Sequence, residues 1–212
     1  VMTAQNVSSK ITKSSADCVR KCLSCHIGAS NDKTNPTIIY EDYHCAIPAD
    51  FHKNLDYTLD NSINIHNKGT KKTYFGFSTS EDAFTWLFIK YFIEQHKLKE
   101  LQGVFGLVDD IEEVLLWGVP QIHNETRAEK QKSISALGVS LGENPSSITE
   151  PDIIIETKSE VFFIEVKLES KNHNEKDRTK YVKYQSKDLY KDFNQAIESE
   201  RYQLVRNWTI GN

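Results

Sequence analysis

Long apolar runs are scarce in this chain. The longest, Ala83 to Ile93, is interrupted by Lys90 and is too short to span a bilayer. The opening VMTAQNVSSK has no apolar signal core, so a soluble protein of the reducing cytoplasm is expected. Only four cysteines occur, and in that compartment they read as free thiols or metal ligands rather than disulfides. A positive surplus is also missing. The formal net charge of -4 and pI near 6.0 argue against a constitutively basic, non-specific nucleic-acid binder, although local phosphate contacts stay open. No internal repeat is visible. What is present is ordinary globular material: 38% apolar and 26% charged residues, in 212 residues that suffice for one domain with a sizeable core.

Residues 1–35 are polar and contain three cysteines, and residues 36–75 mix short apolar pieces with frequent Asn and Asp. We read 1–75 as an appendage and 76–212 as the core. The core opens with SEDAFTWLFIKYFIEQHKLKE, apolar on most faces and free of Gly and Pro, which predicts a buried helix. Ser78, three residues before Glu81, fits a capping box at its start. EEVLLWGVPQI predicts a strand ended by Pro120, and SALGVSLGENPSS a turn-rich connection. Two strands follow, Asp152 to Glu156 and Val161 to Leu168, around a turn at Thr157, Lys158 and Ser159. A charged loop and a long helix over 181–205 complete an α/β arrangement of helices on a central sheet.

The hairpin holds the chemistry. Residues two apart on a strand share a face, so Glu165 and Lys167 point one way while Phe162, Ile164, Val166 and Leu168 enter the core. Charges inside so apolar a strand need partners or a metal. With the turn near Lys158, Asp152 faces a residue within about one position of Glu165. Two carboxylates and an ammonium then converge. Such a set can ligate Mg²⁺, which favours hard oxygen ligands, and can orient or deprotonate an attacking water. Glu150 shares the face of Asp152 and reads as a further ligand or a solvated flank.

Pro151-Asp152 followed by Glu165-Val166-Lys167, with 12 residues between the carboxylates, resembles the PD-(D/E)XK nuclease superfamily, which includes restriction endonucleases. The resemblance covers about 80–208. It implies a restriction-endonuclease-like mixed sheet flanked by helices, and hydrolysis of DNA phosphodiester bonds with Mg²⁺ or Mn²⁺. It further implies DNA as partner, and a homodimer is compatible with it. An acidic residue on the preceding helix matches Glu81, and a Gln or Lys on the following helix matches Gln185, with Lys183 and Lys187 as alternatives. The superfamily core normally adds one more strand, for which only Asn207 to Ile210 remain.

Two further features stand outside the hairpin. Cys18, Cys22 and Cys25, with His26 adjacent and His44-Cys45 downstream, suggest structural Zn²⁺ held by Cys18, Cys22, Cys25 and Cys45. Unlinked thiols are the competing reading, and Cys22 to His26 is also a formal haem-attachment match. Between Lys167 and Lys191, eight Lys or Arg stand against four Asp or Glu. That local positive stretch could contact phosphates, or form a solvated face.

Overall fold

The computed structural model describes residues 2–4, 17–18, 20–31, 36–64, 68–123, 127–146, 148, 150–168, 176–185 and 189–211. In chain order the strands and helices are β1 (Met2–Ala4), β2 (Arg20–Cys22), β3 (Gly28–Ala29), β4 (Ile38–Ile39), α1 (Leu55–Asp60), α2 (Lys68–Phe75), α3 (Glu81–Glu94) and α4 (Leu98–Phe105). Then come β5 (Ile111–Leu116), β6 (Val119–Pro120), α5 (Arg127–Ser140), β7 (Ile153–Thr157), β8 (Val161–Ile164), α6 (Phe193–Glu198) and α7 (Tyr202–Gly211). The architecture is α/β, with two four-stranded sheets ordered β1-β2-β3-β4 and β6-β5-β7-β8. Every pairing in them is antiparallel among the described residues, so the expected mixed sheet is not what forms here.

The second sheet positions the hairpin. Ile153 pairs with Leu116 on one side and Ile164 on the other, and Ile155 pairs with Val114 and Phe162. These side chains share one face and pack with Trp86, Ile89, Leu55, Leu59 and Phe75 in a single buried cluster. Because Ile47, Leu55, Leu59 and Phe75 belong to that cluster, the core crosses the expected appendage boundary at residue 75. The N-terminal sheet joins the same body through the Ile39–Phe77 bridge and the Tyr40 N–H on the Gly76 carbonyl at 2.8 Å.

The expected helix forms over Glu81–Glu94 but is broken at His96 (φ 55°) before α4 starts at Leu98, and a different serine caps it. Ser80 is the N-cap, extended at φ -69° and ψ 117°, with its hydroxyl accepting from the Ala83 N–H at 3.1 Å. Ser78 instead serves strand β4, accepting from the Ile38 N–H at 3.0 Å. Glu81 is thereby released from the expected capping box, and its side chain can reach elsewhere. Lys90 is 1% exposed on this helix, and it is neutralised by Glu94 at 2.9 Å one turn on.

Elsewhere local chemistry overrides the coarse reading. The apolar run after Ile111 is a hairpin, not one strand, because Trp117 (φ 50°) and Gly118 (φ 77°) make a two-residue turn with positive φ at both positions. A Cβ on Gly118 would also lie 2.0 Å from Ile63 Cδ1. The expected turn-rich connection is helical up to Ser140, and the chain turns only at Gly142, φ 81°. The long helix expected over 181–205 is broken into 3-10 turns at Arg178–Lys180 and Val182–Tyr184, then α6 and α7. Asp177 and Asp192 bond the Thr179 and Asn194 N–H groups and start new turns, and Glu200 at φ 54° separates α6 from α7. Asn207 to Ile210, considered for a final strand, are helical within α7.

Candidate active site on the hairpin

The β7–β8 register, continued one step beyond Ile153 opposite Ile164, sets Asp152 opposite Glu165. Opposed residues of an antiparallel pair share a face, so both carboxylates lie on the side away from the core cluster. That side is covered by α7, whose Gly211 backs onto the Phe163 ring. Asp152 is tied down by its own hairpin: Oδ2 accepts from the Val166 N–H at 2.8 Å. Phe162, Ile164 and Val166 pack against the core as expected. Leu168 does not; it is exposed, four residues past the end of the strand at Ile164.

Glu165 is 6% exposed and fully engaged. Its Oε1 accepts from the Arg206 guanidinium at 2.6 Å and from Asn207 Nδ2 at 3.0 Å, and Oε2 accepts from Gln203 Nε2 at 3.0 Å. Lys167 Nζ lies 4.0 Å from Glu165 Oε2 and 3.6 Å from Glu81 Oε2. Glu81 Oε1 accepts from the Leu168 N–H at 3.1 Å, which fastens the start of α3 to the end of the hairpin. Helix α3 thus contributes Glu81 to the place where Asp152, Glu165 and Lys167 converge.

Several members of the cluster have no counterpart in the sequence reading. Asp82 follows Glu81 and lies 3.9 Å from Lys71 Nζ. Lys71 also bonds Glu150 at 2.6 Å and stands 4.2 Å over the Trp117 ring. Glu150 is therefore not a solvated flank. It is 7% exposed and takes the Asn64 N–H at 2.8 Å as well. Gln185, the glutamine expected near the site, is exposed at the end of a 3-10 turn. Gln203 takes the position beside Glu165 instead. Gln203, Arg206 and Asn207 fall at i, i+3 and i+4 of α7, one helical face. A polar stripe within YQLVRNW was the available signal. For Lys71, in the polar segment KGTKKTYF, we find none.

Among the described residues, the carboxylates of Glu81, Asp82, Glu150, Asp152 and Glu165 lie with the cations of Lys71, Lys167 and Arg206. Burial pushes the Asp82 carboxyl up to about 6, with Lys71 opposing and the charges of Asp152, Glu150 and Glu81 adding. Burial likewise raises Asp152, against the pull of the Val166 N–H and Lys167. Glu165 is raised by burial and by the charge of Asp152, against Arg206.

The other expected sites resolve differently. Among the described residues no disulfide joins the four cysteines: Cys18 is buried, Cys22 half-buried, and Cys25 and Cys45 exposed. Among the described residues, no group of three or more His, Cys, Asp or Glu side chains is close enough together to hold a metal ion. The expected four-cysteine Zn²⁺ set is not assembled. Of the basic stretch, Lys176, Arg178, Lys180 and Lys183 are exposed, while Lys171 and Lys187 lie outside the described residues. No helix among the described residues is long and apolar enough to cross a membrane. An apolar groove of about 800 Å³ runs between β8 and α7, past Val161, Phe163, Tyr190, Leu204 and Trp208. It contains neither Asp152 nor Lys167, but Asn207, which bonds Glu165, lines it. No family model matches the chain, and no curated protein or solved structure matches it either.

Proposed function

We propose that this chain is a divalent-metal-dependent nuclease of the PD-(D/E)XK type that hydrolyses DNA phosphodiester bonds. The observation behind this reading is the juxtaposition of Asp152 and Glu165 across one hairpin, with Lys167 between Glu165 and Glu81. The order α3, β5–β6, β7–β8, α7 is compatible with a restriction-endonuclease-like core that lacks its last strand among the described residues.

The donor set fits a hard cation. Asp152 and Glu165 would hold Mg²⁺ or Mn²⁺, with Glu81 as an outer acidic neighbour, and the ion would supply a water of lowered pKa and charge neutralisation at the phosphate. Lys167, whose ammonium lies 3.6 Å from Glu81, would orient that water. Asp152 is kept rigid by the Val166 N–H, so its second oxygen, Oδ1, remains directed by the same bond. Exposed Lys176, Arg178, Lys180 and Lys183 suit contacts to phosphates, which position a duplex without reading its bases.

A second reading has its own observation. Both oxygens of Glu165 are already bonded to α7, which is what a purely structural ion-pair node or a catalytically silent binding module would show. Plasmid cleavage separates the two. The nuclease reading expects nicking or linearisation with Mg²⁺ or Mn²⁺, its loss with chelator, and at least a hundredfold loss in Lys167→Ala, on the order expected of a proton-transfer group. Cleavage that survives Asp152→Asn, Glu165→Gln and Lys167→Ala together refutes it.

A further inference from the structure

The β2–β3 loop places two thiols together in a way the hairpin site does not use. Cys22 is the last residue of β2, and its backbone is pinned on both sides of the loop. The Cys22 N–H donates to the Ile27 carbonyl at 2.9 Å, and the His26 N–H donates to the Cys22 carbonyl at 3.0 Å. The intervening residues, Leu23 to Cys25, form a tight exposed turn. Such a turn brings residues three apart within about 7 Å between Cα atoms, inside the range a disulfide spans.

The turn also aims its donors at one sulfur. The Cys25 N–H donates to Cys22 Sγ at 3.5 Å. Hydrogen bonds from the Cys25 backbone, the Cys25 thiol and the Ser24 backbone together lower the Cys22 thiol to about 7. A thiol at that value is substantially ionised near neutral pH, and thiolate is the nucleophilic form. The bond from the Cys25 N–H to Cys22 Sγ, across so tight a turn, sets the second thiol next to the first. Cys22 is half-buried and Cys25 exposed, so small reagents can reach the pair. The other two cysteines differ. Cys18 is 0% exposed and burial raises its thiol, while Cys45 sits in the separate 3-10 turn Tyr43–Ala46.

We propose that Cys22 and Cys25 are a redox-active dithiol that exchanges with small-molecule disulfides, with Cys22 the attacking sulfur and Cys25 the resolving one. The Cys22 thiolate attacks one sulfur of glutathione disulfide, forming a mixed disulfide and releasing one glutathione thiolate. Cys25 loses its proton to solvent and attacks the Cys22 sulfur. The Cys22–Cys25 bond forms, and the second glutathione leaves as thiolate. Two protein thiols are oxidised and one glutathione disulfide is reduced to two thiols, so electrons and atoms balance. Two sulfurs suffice for this chemistry, whereas tetrahedral zinc needs four ligands.

The test uses the full chain in glutathione buffers of stepped oxidised-to-reduced ratio, trapped with N-ethylmaleimide and mapped by peptide mass. The proposal expects a Cys22–Cys25 bridge in wild type and in the Cys18→Ser/Cys45→Ser double variant. It expects a persistent glutathione adduct on Cys22 in Cys25→Ser. Iodoacetamide should alkylate Cys22 at pH 7 about threefold faster than an unperturbed thiol, since higher thiolate content outweighs lower nucleophilicity. Three results would overturn it. One is a bridge that involves Cys18 or Cys45. Another is alkylation of Cys22 with a midpoint above pH 8. The third is stoichiometric zinc that copurifies and shields both thiols.

Discussion

Removing the Arg206 guanidinium tests how the charge around Glu165 is balanced. Arg206 and Glu165 are 11% and 6% exposed and 2.6 Å apart, so Arg206→Met, which keeps the apolar stem, leaves a buried carboxylate short of its one directly bonded cation. Breaking a buried ion pair costs about 3–5 kcal/mol when nothing else supports the remaining charge. Here Asn207 and Gln203 still donate to Glu165 at 3.0 Å each, and the loss is closer to one charge-assisted hydrogen bond, about 2 kcal/mol. For a domain of this size that lowers Tm by about 4–8 °C. Since Arg206 sits on the oxygen a cation would need, Mg²⁺ should raise Tm more in the variant than in wild type. Thermal melts in chelator and in Mg²⁺, on both proteins, read out the two effects. Equal melting in chelator would show that Glu165 does not depend on Arg206. Equal Mg²⁺ gains would show that Arg206 and a cation do not compete there.

Further outcomes follow from the same geometry. Asp82 is raised from 3.8 to about 6, so the folded chain binds that proton more tightly than the unfolded chain. Its contribution is complete below pH 3.8 and is lost as pH rises through about 6. Asp82→Asn should therefore remove a decline on the order of 3 kcal/mol across that window in metal-free protein. Urea melts at stepped pH check it, and parallel curves for the two proteins would contradict it. If Lys176, Arg178, Lys180 and Lys183 contact phosphate, replacing all four by Ala should flatten log K against log salt for duplex DNA by up to about 0.9 per lost contact. An unchanged slope places the DNA elsewhere.

The parts of this fold that were legible in the sequence share one property: their pattern is set locally and repeated over several residues. The helix at 81–94 and the strands around Lys158 have enough apolar periodicity to declare themselves, and the opposition of Asp152 and Glu165 follows from turn position and the two-residue alternation. What was misread depends on single residues. One serine rather than its neighbour two positions away caps α3, and that choice decides whether Glu81 faces its own backbone or the hairpin. Two positive φ values at Trp117 and Gly118 turn an apparent strand into a hairpin. The supporting residues of the site were hidden for another reason. Lys71, Glu150 and Arg206 look like surface charges in their own segments, and only packing shows Lys71 buried against Glu150 and Arg206 against Glu165. Gln185 and Gln203 are equally plausible by type, and helix α7 rather than the 3-10 turn reaches Glu165.

The claim at the centre of this account is that Asp152 and Glu165 together hold one divalent cation. Mn²⁺ binding to the full chain, followed by electron paramagnetic resonance in the presence of duplex DNA, tests it most directly. Wild type should show one saturable site, and Asp152→Asn and Glu165→Gln should each weaken it at least tenfold, while Gln185→Ala leaves it unchanged. Saturable binding that persists in both hairpin variants, or no saturable site in wild type, would contradict the account.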